Sequence, residues 1–146
     1  MTTKTIVCGV DTSPGARAAV RVAGGLAARV GARLVAVHVL DRVTTDARAA
    51  ERVAAGVLYD EVPDARAEAR GEVGNVAERL AAVAREEDAM LIVLGARSRG
   101  RARAHLRARC AAELTELTDA PVVVAPLQAA AAPATAASAV GKVWAR

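Results

Sequence analysis

Phenylalanine is absent from this chain of 146 residues, and Tyr59 and Trp144 are its only aromatic side chains. Stacking platforms of the kind used by single-stranded nucleic-acid binders are therefore missing, and sequence-specific nucleic-acid binding is not expected. Cysteine is almost as scarce. Cys8 lies in an apolar run and Cys110 far along the chain, which is neither a disulfide framework nor a metal-ligand spacing. No uncharged apolar run approaches the roughly 18 to 20 residues of a membrane helix. Met1-Thr2-Thr3-Lys4 leads into a short strand and not into a signal-peptide apolar region. These absences together predict a cytoplasmic protein in a reducing compartment, with no membrane partner.

What is present fits one folded unit. Hydrophobic residues make up 53% and charged residues 25%, a globular balance, and the length suits a single domain with one sizeable core. The formal net charge is +4. Arg97, Arg99, Arg101, Arg103, Arg107 and Arg109 contribute +6 in a stretch without an acid, so the other residues together net −2 against that total. The basic excess is local.

Strands and helices alternate along the chain. Thr5 to Val10 is a short apolar run ending at Asp11-Thr12-Ser13-Pro14, where Ser13 can cap a helix and Pro14 can take its first position. Ala18, Ala19, Val22, Ala23, Leu26, Ala27 and Val30 then recur at helical spacing up to the stop at Gly31. Leu34 to Leu40 does not alternate with polar residues and reads as a strand buried on both faces, closed by Asp41. A helix is expected from about Arg42 to Gly56. A third strand, placed at Ala65 to Arg70 before Gly71, alternates with charges as an edge strand does. Asn75 can cap a helix carrying Val76, Leu80, Val83 and Ala84, followed by the strand Met90 to Leu94 and Gly95. Leu106, Cys110, Leu114 and Leu117 mark the last helix, and Val122-Val123-Val124 the last strand. Such alternation predicts a doubly wound α/β domain over residues 1–127 with a mostly parallel sheet. The Ala-rich residues 128–146 are expected to be a flexible tail.

Ligands of open parallel sheets bind beyond the carboxyl ends of strands, where the strand order reverses. Two such ends attract attention. In the first, Val10, Asp11, Thr12 and Ser13 put a carboxylate beside the N–H groups of a helix start, where it could hold a ribose or base; equally, Asp11 could simply organise the turn and Ser13 cap the helix. In the second, Gly95 to Arg103 lies between a buried strand and a helix. Gly95 and Gly100 have the glycine spacing of a P-loop, but Arg101 replaces its lysine and Ala102 its metal-binding hydroxyl, so metal-assisted NTPase chemistry has no support. Arginines at a helix N-terminus oppose the helix dipole and call for solvent or an anionic partner.

The segments Ile6 to Pro14, Val37-His38-Val39, Leu91 to Arg97 and Ala120 to Val124, in that order and spacing, resemble the universal stress protein family. The resemblance implies a five-stranded sheet ordered 3-2-1-4-5 with four helices, both loops at the switch point, and a homodimer paired through Val122, Val123 and Val124. It also implies a nucleotide site in which Val39 joins Val10, Asp11, Thr12, Ser13, Gly95, Arg97, Ser98 and Arg109, with ATP or AMP as candidate ligand. ATP-binding members carry Gly, two residues, Gly, nine residues, then Gly and Ser or Thr. Counted from Gly95, this chain has Ser98, Ala108 and Arg109 at the later positions, so only the first glycine survives. The resemblance therefore implies a non-enzymatic stress-response protein with a degenerate adenine-nucleotide cleft. A nucleotide-binding sensor or slow hydrolase with an arginine-substituted loop is one rival, and a module binding polyanions or other small anionic ligands is another.

Other residues are set aside. His38 reads as a satisfied strand histidine and His105 as a solvated helix residue. Cys8 reads as a small core hydrophobe, Cys110 as part of an apolar helix face, and Glu86-Glu87-Asp88 as a solvated helix end.

Overall fold

The computed structural model describes residues 3–40, 46–96 and 101–127, with backbone alone for 101–108. Strands β1 (Thr5–Gly9), β2 (Arg33–Leu40), β3 (Ala67–Val73), β4 (Ala89–Gly95) and β5 (Val122–Ala125) alternate with helices α1 (Pro14–Val30), α2 (Ala47–Glu61), α3 (Val76–Glu86) and α4 (Arg101–Leu117). All neighbouring strands are parallel, and their order is β3-β2-β1-β4-β5. The expected α/β fold, strand order and helix count are all present.

Apolar runs that do not alternate with polar residues serve two cores at once. Ile6, Cys8, Leu34, Ala36 and Val93 face α1 and α2, whereas Val7, Val35, Val37, Ile92 and Leu94 face α3 and α4. Successive strand side chains point to opposite faces, so a sheet covered on both sides needs every position apolar. Cys8 is fully buried in the first core, and its burial pushes the thiol far above the usual range, which leaves it inert. Helix α1 presents Ala16, Ala19, Ala23 and Ala27 to the sheet, small residues that let it lie close. The Ser13 side chain caps its first turn by accepting from the Ala16 N–H, and Gly31 ends it in the left-handed region at φ 67°.

Three boundaries differ from expectation. Helix α2 starts at Ala47, capped by Asp46, and runs on to Glu61, because Val57 and Leu58 extend its buried face beyond Gly56; the expected start at Arg42 lies outside the described residues. Strand β3 continues to Val73, three residues past its expected end. Gly71 looked like a terminator but is an interior strand residue facing α2: a Cβ there would sit 1.9 Å from the Ala47 carbonyl oxygen and 2.4 Å from the Glu51 nitrogen. Leu117 is 43% exposed, so the apolar face of α4 closes at the fully buried Leu114.

Charge covers what helices leave open. At the edge strand, Arg70 bonds Glu72 at 2.8 Å and also Glu86, while Arg79 bonds Glu72 at 2.9 Å. Arg33 reaches both Glu68 and Glu87. Glu86 and Glu87 are thus tied to strands β2 and β3, while Glu86 and Asp88 stay exposed at the solvated helix end expected from the sequence. On the other face Arg17 and Arg21 both grip Glu61, joining α1 to α2. Partial burial works against the Glu61 charge, but the donors from Arg21 and Arg17 outweigh it and hold the carboxyl below its ordinary range.

Two glycines separate packing from propensity. Gly71→Ala should lose about 3 kcal/mol, since the added carbon meets α2 backbone that cannot rotate away. Gly56→Ala, inside α2 with nothing within 4 Å of its Cβ position, should gain about 0.5 to 1 kcal/mol. Urea denaturation of both variants distinguishes the two effects, and a Gly71→Ala protein as stable as the parent would remove the proposed β3–α2 contact.

Candidate functional site

Helix α1 leaves β1 toward one face of the sheet while α4, which follows β4, covers the other, so a crevice opens between the ends of these adjacent strands. A cleft of about 500 Å³ occupies it. Its floor is the end of β1 and β4, from Gly9 to Asp11 with Leu94 and Gly95. One wall is the end of β2, Val37 to Val39, and another is the start of α3 at Asn75 and Val76. Among the described residues, Arg109, Cys110 and Glu113 of α4 line another side.

The first loop is tightly tied. The Asp11 Oδ1 accepts the Ser13 N–H at 2.8 Å, and the Ser13 hydroxyl accepts the Ala16 N–H at 3.2 Å. The turn-forming and capping readings of these two residues are therefore correct, and Asp11 lines the cleft while serving the turn. Val10 is clamped on both backbone groups. Its N–H donates to the Val37 carbonyl at 2.9 Å, and its carbonyl lies 2.7 Å from His38 Nδ1. A carbonyl can only accept, so His38 carries its proton on Nδ1 and donates to Val10. That is the satisfied strand histidine expected from the sequence.

Gly95 is a packing glycine. A Cβ there would meet the Gly15 carbonyl oxygen at 2.4 Å and the Ala16 nitrogen at 3.0 Å, so the first turn of α1 rests directly on the end of β4. On α3, Asn75 caps by accepting the Glu78 N–H at 3.0 Å, and Val76 is 45% exposed at the cleft. Gly74, at φ 138°, makes the bend between β3 and that helix possible.

Of the residues singled out in the sequence, Val10, Asp11, Val39, Gly95 and Arg109 come together around the cleft. Ser13 stands one turn behind Asp11 as the α1 cap, with Thr12 between them in the loop. Arg97 and Ser98 lie outside the described residues. Sequence reasoning missed Asn75, Val76, Leu80, Cys110 and Glu113 as lining residues. The signal for Asn75 and Val76 was the carboxyl end of the third strand, hidden while that strand was ended at Arg70. For Glu113 it was the four-residue spacing from Arg109 on one helix. Among the described residues no group of His, Cys, Asp and Glu could hold a metal ion, and no helix is long and apolar enough to cross a membrane.

The family model of the universal stress protein family matches residues 2–126. The chain belongs to the universal stress protein family. Solved structures agree on the fold. A universal stress protein family member from Burkholderia pseudomallei is 27% identical, with TM-score 0.65 over 86% of this chain and 97% of that one. A universal stress protein in complex with cAMP is 24% identical, with TM-score 0.66 over 87% of this chain and 99% of that one. The universal stress protein from Archaeoglobus fulgidus in complex with dAMP is 23% identical, with TM-score 0.65 over 86% and 99%. Among curated proteins no significant match is found.

In this member of the family, His38→Ala would leave the Val10 carbonyl without its donor. Stability should fall by about 0.5 to 1.5 kcal/mol, the net worth of a hydrogen bond whose acceptor borders an open cleft. Nitrogen NMR of the parent should show the neutral ring protonated at Nδ1; a ring protonated at Nε2 alone would contradict the bond to Val10.

Proposed function

We propose that this universal stress protein works by binding, holding an adenine mononucleotide in the cleft at the strand-order reversal and passing the signal through a homodimer. The observation that carries this reading is a cleft of about 500 Å³ with largely apolar walls, the Asp11 carboxylate at its floor and Arg109 beside Glu113 on α4. Its size lies in the range of small-molecule sites. Val39, Val76 and Leu94 offer an apolar surface for a base, Asp11 can accept hydrogen bonds from ribose hydroxyls, and Arg109 can meet a phosphate. The solved relatives whose complexes contain cAMP and dAMP support a mononucleotide as the ligand class. Ser98, Ala108 and Arg109 stand where ATP-binding relatives are expected to have two glycines and a hydroxyl, which argues for weak ATP binding.

The edge strand supports the dimer. Val124 is 49% exposed on β5, which lies at the end of the sheet, and an apolar edge of this kind favours pairing with a second copy. Pro121 and Pro126 limit the paired stretch to a few residues and oppose open-ended growth.

Calorimetric titration tests the ligand. AMP should bind with one site per chain, and Asp11→Asn, which keeps an oxygen for the Ser13 N–H but removes the charge, should weaken it about tenfold or more. Binding that ignores the base, survives Asp11→Asn and disappears with Arg97→Ala and Arg109→Ala would replace the nucleotide site with a general anion patch. For the dimer, sedimentation at micromolar concentration should give two chains for the parent and one for Val124→Glu; a monomeric parent would end that part of the proposal.

A further inference from the structure

Arg109 and Glu113 stand one turn apart on α4, and both line the cleft. Their closest approach is 3.8 Å, longer than a hydrogen bond, with side chains 70% and 43% exposed. Arginine followed four residues later by glutamate is the less favourable order of a helical ion pair, and exposed pairs of this kind hold weakly. Glu113 is thus a poor anchor for Arg109 but a carboxylate beside it. Asp11 adds a second carboxylate at the floor. An anion that engages Arg109 comes close to the Glu113 carboxylate as well.

We infer that Glu113 is a specificity-determining residue: it limits the charge of the ligand the cleft accepts, admitting nucleosides and monophosphates and disfavouring polyphosphates. The inference rests on the nucleotide-cleft reading above. Repulsion from the Glu113 carboxylate grows with the charge of the ligand, so its removal is felt in proportion to that charge. Each further phosphate therefore adds to the repulsion from Glu113. Glu113 does not need to touch the ligand to act this way, and its exposure means that its replacement has little to disturb in the core.

The test is a charge series of adenosine, AMP and magnesium-free ATP, titrated at low salt into the full chain and into Glu113→Gln. Removing the carboxylate should leave adenosine within twofold, tighten AMP about threefold and tighten ATP about tenfold or more, with the differences shrinking as salt screens them. Glu113→Asp, which keeps the charge, should behave as the parent. Adenosine and AMP binding that is normal in the parent, with a Glu113→Gln effect that is equal for all three ligands or absent, overturns the role of Glu113 and leaves the nucleotide cleft standing. Failure of adenosine and AMP to bind either protein overturns the cleft reading itself, and this inference with it.

Discussion

The contact between the end of β4 and the first turn of α1 governs the geometry of the cleft. The backbone of Gly95 meets the backbone of Gly15 with no room for a side chain between them. Because α1 seats there, the loop from Val10 to Ser13 is brought over the end of the sheet and Asp11 is delivered to the cleft floor. Gly9 adds to the same constraint, since a Cβ at that position would press on Leu94 and Leu80 at 2.9 and 3.0 Å. A glycine at the end of β4 is required here by packing alone. Its presence is therefore poor evidence for phosphate binding, even though the resemblance assigned it that role.

Tension from the other side fixes the loop. Val10 gives its N–H to Val37 and receives the His38 proton on its carbonyl, so the end of β2 holds the departing β1 strand at two points. Buried backbone groups need partners, and this clamp supplies them where the ladder between strands runs out. Val37, His38 and Val39 can then form a wall of the cleft without the loop moving over them.

How much of this was legible in the sequence follows the physics of each signal. Strands buried on both faces announce themselves as unbroken apolar runs, and β1, β2 and β4 were placed to within a residue or so. The edge strand β3 has only short-range cues. Its charges revealed the edge, but Gly71 reads as a stop unless the helix packed against it is known. The ion pairs of Glu86 and Glu87 were hidden for a related reason, because Arg33 and Arg70, which bind them, are distant in sequence and near only after folding. Asp11, Val39 and Arg109 could be found from the strand ends and from family resemblance. The walls supplied by Asn75, Val76 and Glu113 depend on where α3 and α4 settle, which propensity does not encode.

Replacing backbone by side chain at a phosphate position changes more than affinity. Backbone N–H groups in a glycine-rich turn are fixed before the ligand arrives, whereas the Arg109 side chain is 70% exposed and must be ordered upon binding. Ordering a long side chain costs up to about 2 kcal/mol. That cost falls on every bound anion, and the interaction it secures is weakened by salt and shared with Glu113. An exposed arginine of this kind makes its contact only once an anion arrives. It is well suited to a reversible contact whose strength tracks ligand charge and ionic strength. Under the proposed reading of the cleft, an arginine in place of a backbone contact thus favours a protein whose occupancy reports on its surroundings.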